Sequence, residues 1–233
     1  MDLSLRLEKI ASFVEVGSVV ADIGTDHGYL PICLVQRGIS PKAYAFDLRR
    51  GPLERARDHI AQAGLQDRVM LRLSDGLSGL KPDEADTVVI AGMGGALIDR
   101  ILERSQETAQ AARMLILSPQ SEPWKVRERL DAMGFYIDLE HYLEEDGKYY
   151  VVMRAVHGAV CTGTPTEYKY GRYALKHRDP VLLSQLLKEQ EKYRGLLMQL
   201  LKTDSLSARE RQVAVEKELA DIKDALDYWR ELE

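Results

Sequence analysis

The chain has 233 residues, Lys+Arg 32 against Asp+Glu 37, and a net charge of −5. That length can bury a full core, and it suits one large domain with a small appendage. No apolar run is long enough to span a bilayer, and the two cysteines, Cys33 and Cys161, are too few for a disulfide framework and lack metal-ligand spacing. A reducing cytoplasm is the expected compartment, with no signal peptide in the charge-and-apolar alternation of residues 1–8. Residues 161–233 carry 13 basic and 13 acidic side chains, so the whole acidic excess lies in residues 1–160. A polyanion would therefore have to use a local basic patch.

Leu3, Leu7, Ile10 and Val14 recur at helical spacing and predict an opening helix ended by Gly17. The first strand is expected at Ser18–Ile23, running into Gly24-Thr25-Asp26-His27-Gly28 and then a helix from Tyr29 to Gln36. A strand that stops at glycine and opens into a helix offers free N–H groups at the carboxyl edge of a parallel sheet, where nucleotide-like ligands bind. The second strand ends at Asp47, 23 residues after Gly24. A carboxylate at that spacing accepts from both ribose hydroxyls.

Pro52 is expected to open the next helix, which stops at Gly64. Strands follow at Val69–Leu73, Thr87–Ala91 and Met114–Leu117. Their ends are Ser74-Asp75-Gly76, Gly92-Met93-Gly94-Gly95 and Ser118-Pro119-Gln120. Helices carry Leu97, Ile98, Ile101 and Leu102, then Trp124, Val126, Arg127 and Leu130.

The rhythm then changes. Phe135–Leu143 and Lys148–Val156 flank Asp146-Gly147, a hairpin signal. Five βα units closed by an antiparallel hairpin give an α/β, Rossmann-like, seven-stranded sheet of the class I S-adenosylmethionine methyltransferase plan. Nicotinamide dehydrogenases continue with parallel strands instead. Residues 157–165 read as a linker, which divides the chain into 1–160 and a helical 161–233. In the latter, Leu182, Leu186, Tyr193, Leu197 and Leu200 form one stripe, and Val215, Leu219, Ile222, Leu226 and Trp229 form another. A C-terminal, coiled-coil-like α-helical hairpin is expected, with a turn at 203–207 and Ser207 as N-cap.

The chain resembles the bacterial tRNA (adenine-22-N1)-methyltransferase family over nearly its whole length. The likeness rests on Arg6-Leu7, on Ala21-Asp22-Ile23-Gly24-Thr25-Asp26-His27-Gly28-Tyr29-Leu30-Pro31, on Val89-Ile90-Ala91-Gly92-Met93-Gly94-Gly95, on Glu144-Glu145-Asp146-Gly147-Lys148 and on the helical hairpin. It implies S-adenosyl-L-methionine as cofactor, tRNA as partner and methylation at adenine N1. The expected cofactor contacts are Gly24, Thr25, Gly28, Asp47, Leu48, Asp75, Gly76 and Gly92. Asp26 stands where the general methyltransferase fingerprint has glycine, and the resemblance implies a catalytic role. A helix cap is the other reading of Asp26. His27, Tyr29, Met93, Pro119 and Gln120 are expected near the target base, although Ser118-Pro119-Gln120 departs from the Gln-Pro-Asn-like order of related amino-methylating enzymes. Arg172, Lys176 and Arg178, interleaved with tyrosines, are expected to hold tRNA, or to form a solvated helix face. No metal is expected. The sequence leaves open a monomer or a weak dimer, another RNA or a small molecule as substrate, and a non-catalytic RNA-binding module on the same fold.

Overall fold

The computed structural model describes residues 3–159, 161–203 and 205–230. Chain contacts divide it into two compact units, Met1–Thr162 and Gly163–Glu233. The expectations for residues 1, 2, 160 and 204 lie outside the described residues.

The first unit opens with α1 (Leu5–Phe13), β1 (Val20–Ile23), α2 (Tyr29–Gln36), β2 (Ala43–Asp47), α3 (Arg50–Gln62) and β3 (Val69–Leu73). After a 3₁₀ turn at Gly76–Gly79 come β4 (Thr87–Ala91), α4 (Gly95–Arg104), α5 (Gln106–Ala111), β5 (Met114–Ser118), α6 (Pro123–Ala132), β6 (Phe135–Glu145) and β7 (Lys148–His157). The seven strands lie in the order β3-β2-β1-β4-β5-β7-β6. β1 to β5 are parallel, and β7 pairs antiparallel with both β5 and β6. Every residue of β1, β2 and β5 is buried, as expected where helices cover both faces. Asp146 and Gly147 both have positive φ, 51° and 71°, which matches the twist of the β6–β7 hairpin.

Four local expectations change. β1 begins at Val20, not Ser18, because Val20 is where pairing with Ala43 and Thr87 starts. α3 begins at Arg50, so Pro52 falls inside its first turn rather than opening it. The 3₁₀ turn and α5 had no apolar periodicity to announce them. Ser205, not Ser207, caps the last helix, since its Oγ accepts the Ala208 N–H at 3.2 Å.

The second unit holds α7 (Pro165–Tyr170), α8 (Arg172–Lys176), α9 (Pro180–Leu200) and α10 (Leu206–Arg230). Thr164 and Glu167 form a reciprocal capping box on α7. Asp179 Oδ1 accepts from the N–H groups of Val181 and Leu182 and so starts α9. Leu182 and Leu186 of α9 and Val215, Ile222, Ala225 and Trp229 of α10 are buried. The Trp229 indole N–H donates to the Leu175 carbonyl at 2.5 Å, and Arg178 donates to the Trp229 carbonyl at 2.8 Å. The end of α10 is thereby tied back beside the start of α9. Among the described residues, no helix is long and apolar enough to cross a membrane.

One buried ion pair locks the hairpin edge of the sheet to α6. Arg127 donates from Nε at 3.0 Å and Nη2 at 2.8 Å to Glu140 Oε1, and from Nη2 to the Tyr142 hydroxyl at 3.1 Å. Burial opposes the Arg127 charge, but Glu140 and Tyr142 more than offset it, so its pKa stays above the ordinary value. Arg127→Met strands a carboxylate in the core and should destabilise the unit by about 3–5 kcal/mol. The double change with Glu140→Leu should recover much of that loss. Urea unfolding of the single and double variants measures both.

Candidate active site

The site forms where the direction of the sheet reverses. From β1 the chain builds outward through β2 and β3, then returns to lay β4 on the other side of β1. No connection covers the carboxyl ends of β1 and β4, which leaves a crevice there. A cleft of about 440 Å³ occupies it, lined by Arg6, Leu7, Asp22, Gly24, Thr25, Asp26, His27, Tyr29, Leu30, Asp47, Arg49, Ala91, Gly92, Met93 and Gln120.

The β1–α2 turn is held by its own backbone. The N–H groups of Gly24 and Thr25 both donate to the Phe46 carbonyl at 2.8 Å, and that of Gly28 donates to the Thr25 carbonyl at 3.0 Å. Gly24 has φ +79°, and an added Cβ there would collide with Met93 Cε. The Met93 thioether chain, unbranched and adaptable, is thus a movable wall over the turn. Gly28 does not line the cleft. It is the left-handed N-cap of α2, φ +74°, pressed against Ala56.

Asp26 adopts φ 48°, a conformation that favours glycine. It makes no cap, because α2 has no side-chain capping bond. Its Oδ1 accepts from Arg55 Nη2 at 3.1 Å and its Oδ2 lies 3.4 Å from His27 Nε2. The His27, Tyr29 and His59 rings lie 5.1–5.8 Å apart with planes within 26° of one another. His59 Nδ1 donates to the His27 carbonyl at 2.9 Å. Arg55 and His59 were not foreseen. Their i, i+4 spacing on α3 is the signal that puts both on one face.

Deeper lies Asp22, also not foreseen as a site residue and only 6% exposed. Burial raises its pKa to about 6; the Thr25 hydroxyl lowers it and the Asp47 charge raises it further. The Thr25 hydroxyl itself makes no well-formed hydrogen bond. A buried acid poised near 6 suits a cationic partner, which would favour its ionised form. Asp47, at the end of β2, is buried and accepts the Arg49 N–H at 2.8 Å.

The other expected residues fall in three places. Leu48 and Asp75 line a neighbouring hollow of about 310 Å³ with Leu77, Leu97, Arg100, Ile101, Arg104 and Ser105. Gly76 does not line that hollow and packs instead against Ile101, where an added Cβ would stand 3.0 Å from the side chain. Gln120 reaches the first cleft, and its N–H donates to the Met93 carbonyl at 2.8 Å. Pro119 is buried and does not line the cleft. Arg172, Lys176 and Arg178 lie in the second unit. Arg172 pairs with Glu167 at 3.0 Å, Arg178 binds the Trp229 carbonyl, and Lys176 is exposed.

The glycines after β4 divide their work. Gly92, φ +77°, faces the Arg6 guanidinium. Gly95 is needed for packing instead. Its N–H donates to the Ser121 carbonyl at 2.8 Å, and a Cβ would stand 2.6 Å from that oxygen and collide with the Glu122 carbonyl.

Residues 3–153 match the family described as "Methyltransferase domain". The chain is 32% identical over 237 aligned positions to the tRNA (adenine(22)-N(1))-methyltransferase of Bacillus subtilis (strain 168), with 98% of each chain covered. The chain belongs to the tRNA (adenine(22)-N(1))-methyltransferase family. Solved relatives share its architecture throughout. The Streptococcus pneumoniae protein Sp1610, in complex with S-adenosyl-L-methionine, has a TM-score of 0.86 and 33% identity over 97% of this chain and all of that one. M. capricolum TrmK, in complex with S-adenosyl-homocysteine, has a TM-score of 0.83 and 26% identity over 97% and 98%.

Asp22 gives the family's cleft a pH signature. Between about pH 4 and 6 the unfolded chain ionises this acid while the folded protein keeps it protonated. Stability therefore falls as pH rises through that window, by about 3 kcal/mol for a shift from 3.8 to 6. Asp22→Asn should remove that decline in thermal melts across pH 4–7.

Proposed function

We propose that this protein transfers a methyl group from S-adenosylmethionine to N1 of adenine 22 in tRNA. Family membership supports the reaction, and the single observation that carries the site is Asp26, held in a glycine-favouring backbone at the mouth of the cleft. Backbone strain of this kind persists where the surroundings enforce it, and here Arg55 and His27 hold the carboxylate.

The cleft residues fit the donor. The Gly24 turn gives close backbone approach at the end of β1. Asp47 stands ready for the ribose hydroxyls and Leu48, Asp75 and Gly76 for the adenine. Asp22 provides an enclosed carboxylate for the α-ammonium. When bound, the cofactor supplies an electrophilic methyl group on sulfur, which adenine N1 takes in-line through its in-plane lone pair.

Such a reaction needs alignment more than proton transfer. The target adenine must leave its stack. Tyr29 and His27 present ring faces in the cleft, and Gln120 presents an amide that can bond a base edge. Alkylation at N1 makes the base cationic, and the Asp26 carboxylate stabilises that developing charge. Accepting a proton from the N6 amine is a second task open to the same group.

For tRNA, the second unit offers Lys176 and its exposed neighbour His177. Arg172 and Arg178 also serve the unit's own fold through Glu167 and Trp229. We place the work of the protein in the cytoplasm, where unmodified tRNA is found.

Incubation with labelled S-adenosylmethionine and unmodified tRNA, followed by nucleoside analysis, should yield 1-methyladenosine lost on changing adenine 22. Asp26→Asn and Asp26→Gly should lower kcat on the order of 100-fold. Asp26→Gly should leave stability unchanged or raised, within about 1 kcal/mol, because glycine adopts the same backbone without strain. Full turnover by both variants would remove Asp26 from the chemistry. Lys176→Ala should weaken tRNA binding and lower the salt slope by about 0.7–0.9, one phosphate contact. A filter-binding salt titration reads that slope.

A further inference from the structure

The mouth of the cleft holds a cation to which the mechanism above gives no part in the reaction. Arg55 lies on α3, and an added Cβ at Gly51 would stand 3.9 Å from its Nη1. The side chain therefore runs back toward the start of its own helix, as helical side chains do. Its other terminal nitrogen, Nη2, donates to Asp26 Oδ1 at 3.1 Å. The guanidinium thus spans from the first turn of α3 to the turn after β1. It holds Asp26 by that one bond, whereas Arg37 grips Glu8 by two, of 2.5 and 2.6 Å. The Arg55 and Asp26 side chains are 50% and 56% exposed. An ion pair so open to water is weak and readily exchanged.

The pairing also conflicts with the chemistry. Asp26 is to stabilise an adenine that turns cationic as N1 takes the methyl group. A guanidinium on one of its oxygens cancels much of the field that the carboxylate would apply to the base. The substrate brings what resolves the conflict. A nucleotide within a chain has a phosphate on each side of its sugar, and the forked guanidinium binds phosphate through two parallel bonds. The arginines that line the cleft itself are placed differently. Arg6 has its Nη1 buried, and Arg49 leans on Asp47, the ribose acid, at 3.8 Å. Once Arg55 has moved away, His27 Nε2, 3.4 Å from Oδ2, still stands beside the Asp26 carboxylate.

We infer that Arg55 exchanges partners when tRNA docks: it leaves Asp26 for a phosphate beside the target adenosine, so the carboxylate is freed only where RNA occupies the mouth of the cleft. Arg55 is then a specificity residue, which ties turnover to a polynucleotide. This rests on the proposed methylation of tRNA at this cleft.

Methylation kinetics on unmodified tRNA at saturating S-adenosylmethionine test the exchange with Arg55→Gln and Arg55→Lys. Arg55→Gln should raise KM for tRNA about tenfold, with kcat falling by less than about threefold. The salt slope of tRNA binding should drop by about 0.7–0.9, one phosphate contact. Arg55→Lys should recover most of the loss, since an ammonium also binds phosphate. Replacing the phosphates that flank adenine 22 by neutral methylphosphonates should raise the wild-type KM by a similar factor and add nothing to Arg55→Gln. A fall in kcat on the order expected for Asp26→Asn would show that Arg55 only positions the carboxylate, and overturns the exchange. Wild-type kinetics in Arg55→Gln would reduce the contact to a surface ion pair and overturn it as well. Unchanged S-adenosylhomocysteine binding reports that the variants fold. Should Arg55→Gln fail that check, the methylphosphonate tRNA decides on the wild type, and an unchanged KM overturns the inference. Failure of the wild type to methylate tRNA at all would instead bring down the proposed function, and this inference with it.

Discussion

The catalytic unit depends on β1 being paired in parallel on both sides, with β2 on one and β4 on the other. A strand in that position has neighbours that leave in opposite directions. Its carboxyl end therefore cannot be roofed by a connecting helix. The sequence must then supply a turn that closes on its own backbone, its Gly24 and Thr25 N–H groups given to the Phe46 carbonyl rather than left free as the sequence suggests, without blocking the opening. Gly24, with φ +79°, meets that demand. Each functional group takes its place by its distance from this end: Asp22 below it, Asp26 above it, Asp47 one strand away on β2 and Gly92 one strand away on β4.

The site also concentrates what the rest of the fold avoids. Elsewhere, buried charge is matched, as where Glu140 and Tyr142 surround Arg127. In the cleft, Asp22 is buried with its pKa raised to about 6, and Arg6 Nη1 is buried without an acceptor. Opposite charges are thus kept apart in an enclosed space rather than joined to each other. Folding alone gains nothing from such an arrangement.

Much of this was legible from residue pattern. Continuous apolar runs such as Val88-Val89-Ile90 mark strands covered on both faces, and Asp146-Gly147 marks the hairpin that separates this sheet from an all-parallel one. Asp47 could be placed because a strand end and a fixed distance from a glycine turn locate it. What the pattern did not reveal depends on contacts between distant segments. Arg6 and Asp22 lie in motifs that carry the resemblance but were given no place in the site, and only the packing of α1 and the burial of β1 bring them to the cleft. Gly95 was quoted only as part of the glycine-rich end of β4, yet it is required by the backbone of residues 121 and 122. Pro119 lies in the expected turn but faces the interior. The basic cluster near Arg172 looked uniform along the chain, while in space two of its three members also carry bonds within their own unit.

The tie between Trp229 and the Leu175 carbonyl has a mechanical consequence for the helical unit. With Arg178 bound to the Trp229 carbonyl as well, one end of the α9–α10 hairpin is clamped. At the other end the helices taper into side chains that are half-buried or exposed, such as Leu197, Met198 and Leu201. The hairpin is therefore anchored at its root, and the apolar surface of Met198 and Leu201 near its turn stays open to solvent, where each carries a hydration cost that the root has removed.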